Sequence, residues 1–432
     1  MPTFHLINFG CRASQADGMA LKHQLLEAGL EEVPGAEQSH VTVLNTCTVT
    51  ATADAEVRQV IRRIHRANPQ CRILVTGCYA QRSPEEIAKL PGVAWVVGNS
   101  HKHVIAEVVK KDSGVRTQDS GERNSEARSQ ESEAGESNSE FRILNSGPGT
   151  AGPETRVASP ESRHADSRLP TPDSRATVLV GEITEEFHFA PVFPDDCTRP
   201  TLKIQDGCDA RCSFCIIPTV RGASRSLVPE KVIEQVRRLE LDGYKENVLS
   251  GINLGSYGKD LERRITFLGM LERILAETSI ARLRISSIEP MDVSPELIRL
   301  VASEPRMAQH FHVPLQSGCD RILRQMNRRY WAALYAERLH AIREQIPNCG
   351  IGADVMVGFP GETTEDHQTS LRFIDSLPFT YLHVFPYSSR PGTPAAARAD
   401  HLNGRIIHER GQEMRALIAP KRQAFLESQN AI

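Results

Sequence analysis

The feature that most constrains the fold is a repeated alternation of short, apolar, β-rich runs with stretches of helical periodicity. Thr3–Asn8, His40–Asn45 and Arg72–Thr76 are such runs, and each is followed by a helical pattern. In the second of those helices Val57, Val60, Ile61 and Ile64 recur at helical spacing as a core stripe. Arg58, Arg62 and Arg66 lie four apart on another face, which is either a solvated surface or one for phosphate contacts. A βαβα order implies parallel strands with helices packed on the sheet. The alternation returns from about 198 to 425, with candidate strands at Thr201–Ile204, Asn247–Ser250, Arg282–Ser286, His310–Pro314, Gly352–Met356 and Tyr381–Phe385. Pro229–Leu241 and Phe267–Glu277 are helical patterns between them. Six such units predict an incomplete parallel β/α barrel, with an open doubly wound sheet as the alternative.

The two alternating blocks are separated by residues 109 to about 176, typified by GERNSEARSQESEAGESNSE, rich in Ser, Glu, Arg, Gly and Pro. Such a segment cannot bury enough apolar area to offset its ordering entropy, so it is expected to be disordered, and 112–175 to be dispensable. The expected fold class is therefore α/β. An N-terminal open parallel sheet domain (1–108) is followed by a mostly disordered linker (109–197), then by the barrel and a terminal helix (198–432).

Charge is a weak guide here. Residues 112–175 hold 12 acidic residues and 8 arginines, a net of −4 within a chain total of −3, which leaves +1 for the remainder. A nucleic-acid partner would have to meet a local basic patch. The opening MPTFHLINFG lacks a signal-peptide pattern, and no apolar run approaches a membrane span, so a cytoplasmic location is expected. Ten cysteines in a reducing compartment point to metal or redox chemistry rather than a disulfide framework.

Cys208, Cys212 and Cys215 fall within eight residues, in a loop just after a predicted strand. Electron-carrying cubanes take four cysteine ligands. Three at C-x3-C-x2-C spacing leave one iron open, able to chelate the amino and carboxylate groups of S-adenosylmethionine (SAM), a recognised carrier of radical chemistry. Zinc, the competing reading, usually takes four ligands in two pairs, and no second pair lies nearby. A SAM pocket is expected from Phe214, which lies between two of these cysteines, and from Ser250-Gly251 and Ser286 after predicted strands. Gly358 and Glu362 in the VGFPGET loop complete the expected set.

Cys11, Cys47 and Cys78 each lie just beyond the end of a predicted strand. If those strands are parallel, the three thiols emerge at one carboxyl edge, where α/β sheets place ligands, and can hold a second cluster. Buried structural cysteines are the alternative. Cys71 begins its strand and belongs to the opposite edge. Cys197, Cys319 and Cys349 fit no such pattern and are read as structural.

FGCRASQ, NTCTVTATAD, TGCYAQR and CDARCSFCIIPTVRGASRS, together with SGINLGSYG, RISSIEP, HVPLQSGCDRILRQMNR, DVMVGFPGET and PYSSRPGT, resemble the methylthiotransferase family of radical SAM proteins over nearly the whole chain outside the linker. The resemblance implies that Cys208, Cys212 and Cys215 bind a SAM-cleaving [4Fe–4S] cluster. It implies that Cys11, Cys47 and Cys78 bind an auxiliary [4Fe–4S] cluster holding the sulfur to be inserted. NTCTVT and TGCYAQ look most like the branch that acts on N6-threonylcarbamoyladenosine in tRNA. The branches acting on isopentenyladenosine or on a ribosomal-protein aspartate are the alternatives, and a two-cluster electron-transfer protein is the non-enzyme one. Implied partners are the tRNA anticodon loop, an electron donor such as flavodoxin or ferredoxin, and a sulfur donor, with no membrane. Family members usually end in a small β-barrel RNA-binding domain, which the sequence up to Ile432 is not expected to contain in full.

Overall fold

The computed structural model describes residues 2–112, 176–183 and 198–430. The expectations of disorder and dispensability fall on 113–175, outside the described residues, as does Cys197. Six parallel strands form the N-terminal sheet: β1 (Thr3–Asn8), β2 (Glu31–Glu32), β3 (Val41–Thr46), β4 (Arg72–Gly77), β5 (Val93–Val97) and β6 (Thr177–Leu179), in the spatial order β2-β1-β3-β4-β5-β6. Helices α1 (Arg12–Glu27), α2 (Ala51–Ala67), α3 (Cys78–Arg82), α4 (Pro84–Ala88) and α5 (Ile105–Asp112) connect them.

Both faces of this sheet are covered, which is why its strands read as continuous apolar runs. Leu44, Ile73 and Val75 face the α2 stripe of Val57, Val60, Ile61 and Ile64. Val43, Leu74 and Trp95 point the other way, into a core with Leu21, Leu25, Ile105 and Val109.

Three strands are anticipated by the sequence reading, and three more are present. β2 has two residues and β6 three, too short to display a period; pairing with β1 and β5 defines them. β6 corrects the linker expected over 109–197, and so does α5, whose buried Val109 lies beyond residue 108. The edge of β5 offers unpaired backbone groups, which β6 satisfies in register from Trp95↔Thr177 to Val97↔Leu179.

The second block contains β7 (Thr201–Lys203), β8 (Gln205–Asp206), β9 (Arg225–Ser226), β10 (Glu246–Ser250), β11 (Arg282–Ile285), β12 (His310–His312), β13 (Gly350–Val357) and β14 (Tyr381–Pro386). β7, β10 and β11 pair in parallel, as do β12, β13 and β14, and the bridges Leu283↔Met307 and Ser287↔His312 connect the two groups. Six parallel strands thus follow one another in chain order without the reversal of a doubly wound sheet. Among the described residues no pairing closes β14 onto β7. The interleaved helices are α6 (Ile217–Arg221), α7 (Pro229–Leu241), α8 (Phe267–Glu277), α9 (Pro295–Ser303), α10 (Asp320–Gln325), α11 (Ala332–Gln345), α12 (Thr364–Ser376) and α13 (Gly404–Asn430). β8 and β9 form a short antiparallel ladder that frames residues 207–224, the loop carrying three cysteines.

Two buried ionic clusters join the sheet domain to the second block. Asp17 of α1 accepts from Lys102 Nζ at 2.8 Å, Arg221 Nη2 at 2.9 Å and Lys203 Nζ. Asp54 of α2 accepts from Arg82 Nη2 at 2.7 Å and Arg390 Nη1 at 2.5 Å.

Candidate functional site

Cys47 immediately follows β3 and Cys78 immediately follows β4, while Cys11 lies three residues beyond β1. These strands are adjacent and parallel, with Asn8 opposite Asn45 and Thr46 opposite Gly77, so the three cysteines share one carboxyl edge. Close approach there depends on glycine. Gly10 has φ +104°, and a Cβ on it would sit 2.5 Å from Cys47 Cβ and 3.0 Å from its Sγ. Burial raises the Cys47 thiol to about 12, with Cys78 and Cys11 adding to the shift. Cys71 lies at the other edge, its Sγ 3.2 Å from Thr42 Oγ1.

The loop of Cys208, Cys212 and Cys215 is pinned at both ends. Cys208 N–H donates to Gly222 O at 3.0 Å, and Ser213 N–H to Met326 O at 3.0 Å. Asn327 Nδ2 holds Arg211 O at 2.7 Å. Arg328 Nη1 lies 3.4 Å from Cys212 Sγ, and its Nη2 pairs with Glu289. Burial pushes Cys215 up to about 12, reinforced by Cys212 and Cys208. Cys208 is raised as well, by burial first, against hydrogen bonds from Ala210 and Asn253.

The two cysteine sets lie on one interface. Cys78 packs against Ile216, Ile217 and Val220, the residues that follow Cys215. Asn99 Nδ2 touches Cys78 Sγ at 3.5 Å and Val220 O at 2.8 Å, bridging the two blocks. The donor chemistry fits two iron–sulfur clusters: three thiols in each set, and no disulfide among the nine described cysteines.

Against this geometry, a model described as "Uncharacterized protein family UPF0004" matches residues 3–98, and the radical SAM superfamily model matches 202–374. Threonylcarbamoyladenosine tRNA methylthiotransferase MtaB of Bacillus subtilis is 35% identical over 96% of this chain and 80% of its own length. Its Aquifex aeolicus namesake is 35% identical over 97% and 88%. The chain belongs to the methylthiotransferase family of radical SAM proteins. A tRNA-2-methylthio-N(6)-dimethylallyladenosine synthase of Pelotomaculum thermopropionicum is 31% identical to this methylthiotransferase, over 96% of it and 81% of the relative. Two solved structures share the fold at low identity. The radical SAM methyltransferase TsrM of Kitasatospora setae has TM-score 0.57 at 14% identity, covering 92% of this chain and 77% of its own. The cobalamin-dependent radical SAM enzyme OxsB has TM-score 0.52 at 11%, covering 97% and 56%.

The other expected pocket residues of the methylthiotransferase divide into two groups. Ser250 ends β10 and Gly251 follows it, where a Cβ on Gly251 would press on Gln205. Ser286 follows β11, and its buried Oγ has no hydrogen-bond partner among the described residues, as is true of Asn253 Oδ1. Such orphaned polar atoms suit a polar ligand. Phe214 instead packs against the Phe359, Tyr387 and Met326 cluster. Glu362 Oε2 is used within its own loop, accepting from Gly358 N–H at 2.8 Å and Arg410 Nη1 at 2.6 Å. The sequence reading missed Arg328, Glu289 and Asn253. All three lie in quoted motifs, but their meaning depends on contacts with the cysteine loop that no local pattern reveals. Cys319 and Cys349 are buried among apolar side chains. No helix among the described residues is long and apolar enough to cross a membrane.

Proposed function

We propose that this methylthiotransferase adds a methylthio group to C2 of N6-threonylcarbamoyladenosine beside the tRNA anticodon. The observation that carries the reading is the packing of Cys78 against Ile216 and Val220, which puts one cysteine set against the other. In this reading the N-terminal sheet domain holds the auxiliary [4Fe–4S] cluster on Cys11, Cys47 and Cys78. The barrel (198–432) holds the SAM-binding [4Fe–4S] cluster on Cys208, Cys212 and Cys215. When bound, these groups supply a 5′-deoxyadenosyl radical to remove hydrogen from C2 and a sulfur to replace it.

The chain's own residues do the holding. Cysteine binds iron as the thiolate, so loading of either site would release protons. Arg328 sets the orientation of Cys212 and stays charged beside Glu289. Ser286 Oγ and Asn253 Oδ1 offer unpaired polar atoms to SAM. An electron donor such as flavodoxin or ferredoxin, a sulfur donor and a cytoplasmic setting complete the proposal.

The threonylcarbamoyl substrate is favoured by the 35% relatives, whose name carries it, over the 31% relative named for dimethylallyladenosine. The test supplies reconstituted enzyme, SAM, sulfide and reductant with anticodon stem-loops bearing either modification. Methylthio product on the threonylcarbamoyl RNA is expected. Product only on the isopentenyl RNA, or only on a ribosomal-protein aspartate, overturns the assignment.

A further inference from the structure

Three polar side chains meet on one face of β12, β13 and β14, strands that carry none of the six cluster cysteines. Phe311, Ala353 and Val355 enter the core beneath the helices, and Leu382 and Val384 pack on it. Successive residues of a strand point to opposite faces, so His312, Asp354 and His383 share the other face. Register brings them together: Asp354 lies opposite His383, and His312 lies opposite Gly352, the next residue along that face. Asp354 Oδ1 is 3.1 Å from His312 Nε2 and 3.3 Å from His383 Nδ1. One ligand atom from each residue falls within 4.8 Å of the others. Nitrogen and oxygen atoms held by one tetrahedral ion stand roughly 3.3 Å apart, so this spacing is that of a ligand set.

The set is oriented by its neighbours. Tyr381 Oη lies 3.0 Å from His312 Nδ1 and 2.8 Å from His310 Nε2. An outer partner of this kind fixes a metal-binding imidazole and turns its other nitrogen to the ion. Gly352 makes room for it, since a Cβ there would lie 1.9 Å from Tyr381 Cζ. The His383 ring stands edge-on to Phe385, with centroids 6.3 Å apart and planes at 87°. Exposure rises across the set, from 9% for His312 through 28% for Asp354 to 56% for His383 on the outermost strand β14. An ion can therefore enter from the His383 side.

We propose that His312, Asp354 and His383 form a metal site, separate from the two cysteine sets, that takes a divalent transition ion of the zinc or ferrous type. Two imidazoles and one carboxylate suit such ions, whereas Mg2+ and Ca2+ take shells of oxygen. Three protein ligands leave a coordination position for water or a substrate oxygen, as catalytic sites do and structural ones do not. The inference does not depend on which nucleoside is the substrate. The competing account is a triad joined by hydrogen bonds alone, which binds no metal.

The test equilibrates reconstituted full-length enzyme, both cysteine sets loaded with iron, against buffered Zn2+ without oxygen, and counts zinc per chain by mass spectrometry. About one zinc per chain is expected. X-ray absorption at the zinc edge, which iron does not obscure, should show only nitrogen and oxygen neighbours at about 2.0 Å, with imidazole scattering beyond them. His383→Gln, at the exposed position, and the isosteric Asp354→Asn should each weaken zinc binding by at least about tenfold, the lower end of what even an outer partner contributes. Iron content and circular dichroism check that the variants are loaded and folded, and His383→Gln decides alone should Asp354→Asn fail to fold. Zinc absent from the wild type, sulfur among its nearest neighbours, or unchanged affinity in the folded variants overturns the inference.

Discussion

His310, the first residue of β12, illustrates how burial inside the fold shapes a single residue. Burial, followed by the nearby charges of Arg284, His312 and Arg12, pushes its pKa down to about 3 from the ordinary 6.5. The folded protein therefore keeps His310 neutral where the unfolded chain takes up a proton. Stability on this account is flat above the unfolded pKa of 6.5 and falls as pH drops from there toward about 3, by at most about 1.4 kcal/mol per pH unit. Thermal melting between pH 5 and 7.5 should show wild type losing stability on acidification more steeply than His310→Asn. Parallel curves for the two proteins would refute the shift. Asp354 behaves in the opposite sense: although burial works against it, hydrogen bonds from His312 and His383 hold its pKa down at about 2, so its contribution is lost only in stronger acid.

At the scale of elements, α1 and α2 each carry one buried carboxylate into the barrel side. Asp17 faces Lys102, Lys203 and Arg221, and burial, which would raise its pKa, is outweighed by these cations. Removing one member of such a cluster strands the others. Asp17→Asn should cost roughly 3–5 kcal/mol in urea unfolding, and a loss under about 1 kcal/mol would show the cluster to be incidental. The arginine face of α2 is smaller than its spacing suggests. Arg58 donates to Tyr79 Oη at 2.7 Å and Glu86 Oε1 at 3.0 Å, while Arg62 and Arg66 are exposed. If the two exposed arginines meet RNA phosphates, Arg62→Gln/Arg66→Gln should lower the slope of log affinity against log salt by about 1–2. An unchanged slope would leave them a solvated surface.

For the whole molecule, the arrangement predicts two independently removable iron sites. Reconstituted wild type should hold about eight irons, as two cubanes require. Replacing Cys208, Cys212 and Cys215 by Ala should remove about half of it and abolish SAM cleavage. Replacing Cys11, Cys47 and Cys78 should also remove about half, while part of the cleavage survives. Full iron in the second variant would refute an auxiliary cluster on those residues.

Much of this was legible locally. Strands at Thr3–Asn8 and Arg72–Gly77, the α2 stripe and the eight-residue cysteine loop are written in periodicity and spacing, which depend only on near neighbours. Parallel order followed from the alternation, and with it the shared edge of Cys11, Cys47 and Cys78. The strands β2 and β6 could not be read, because a strand of two or three residues exists only through its partner. Nor could the contacts of Arg328 and Asn99, whose surroundings come from segments far away in the chain. Pattern along a sequence reports which face of an element is buried. Which distant charge or sulfur lies opposite that face is decided only when the sheet domain and the barrel pack together.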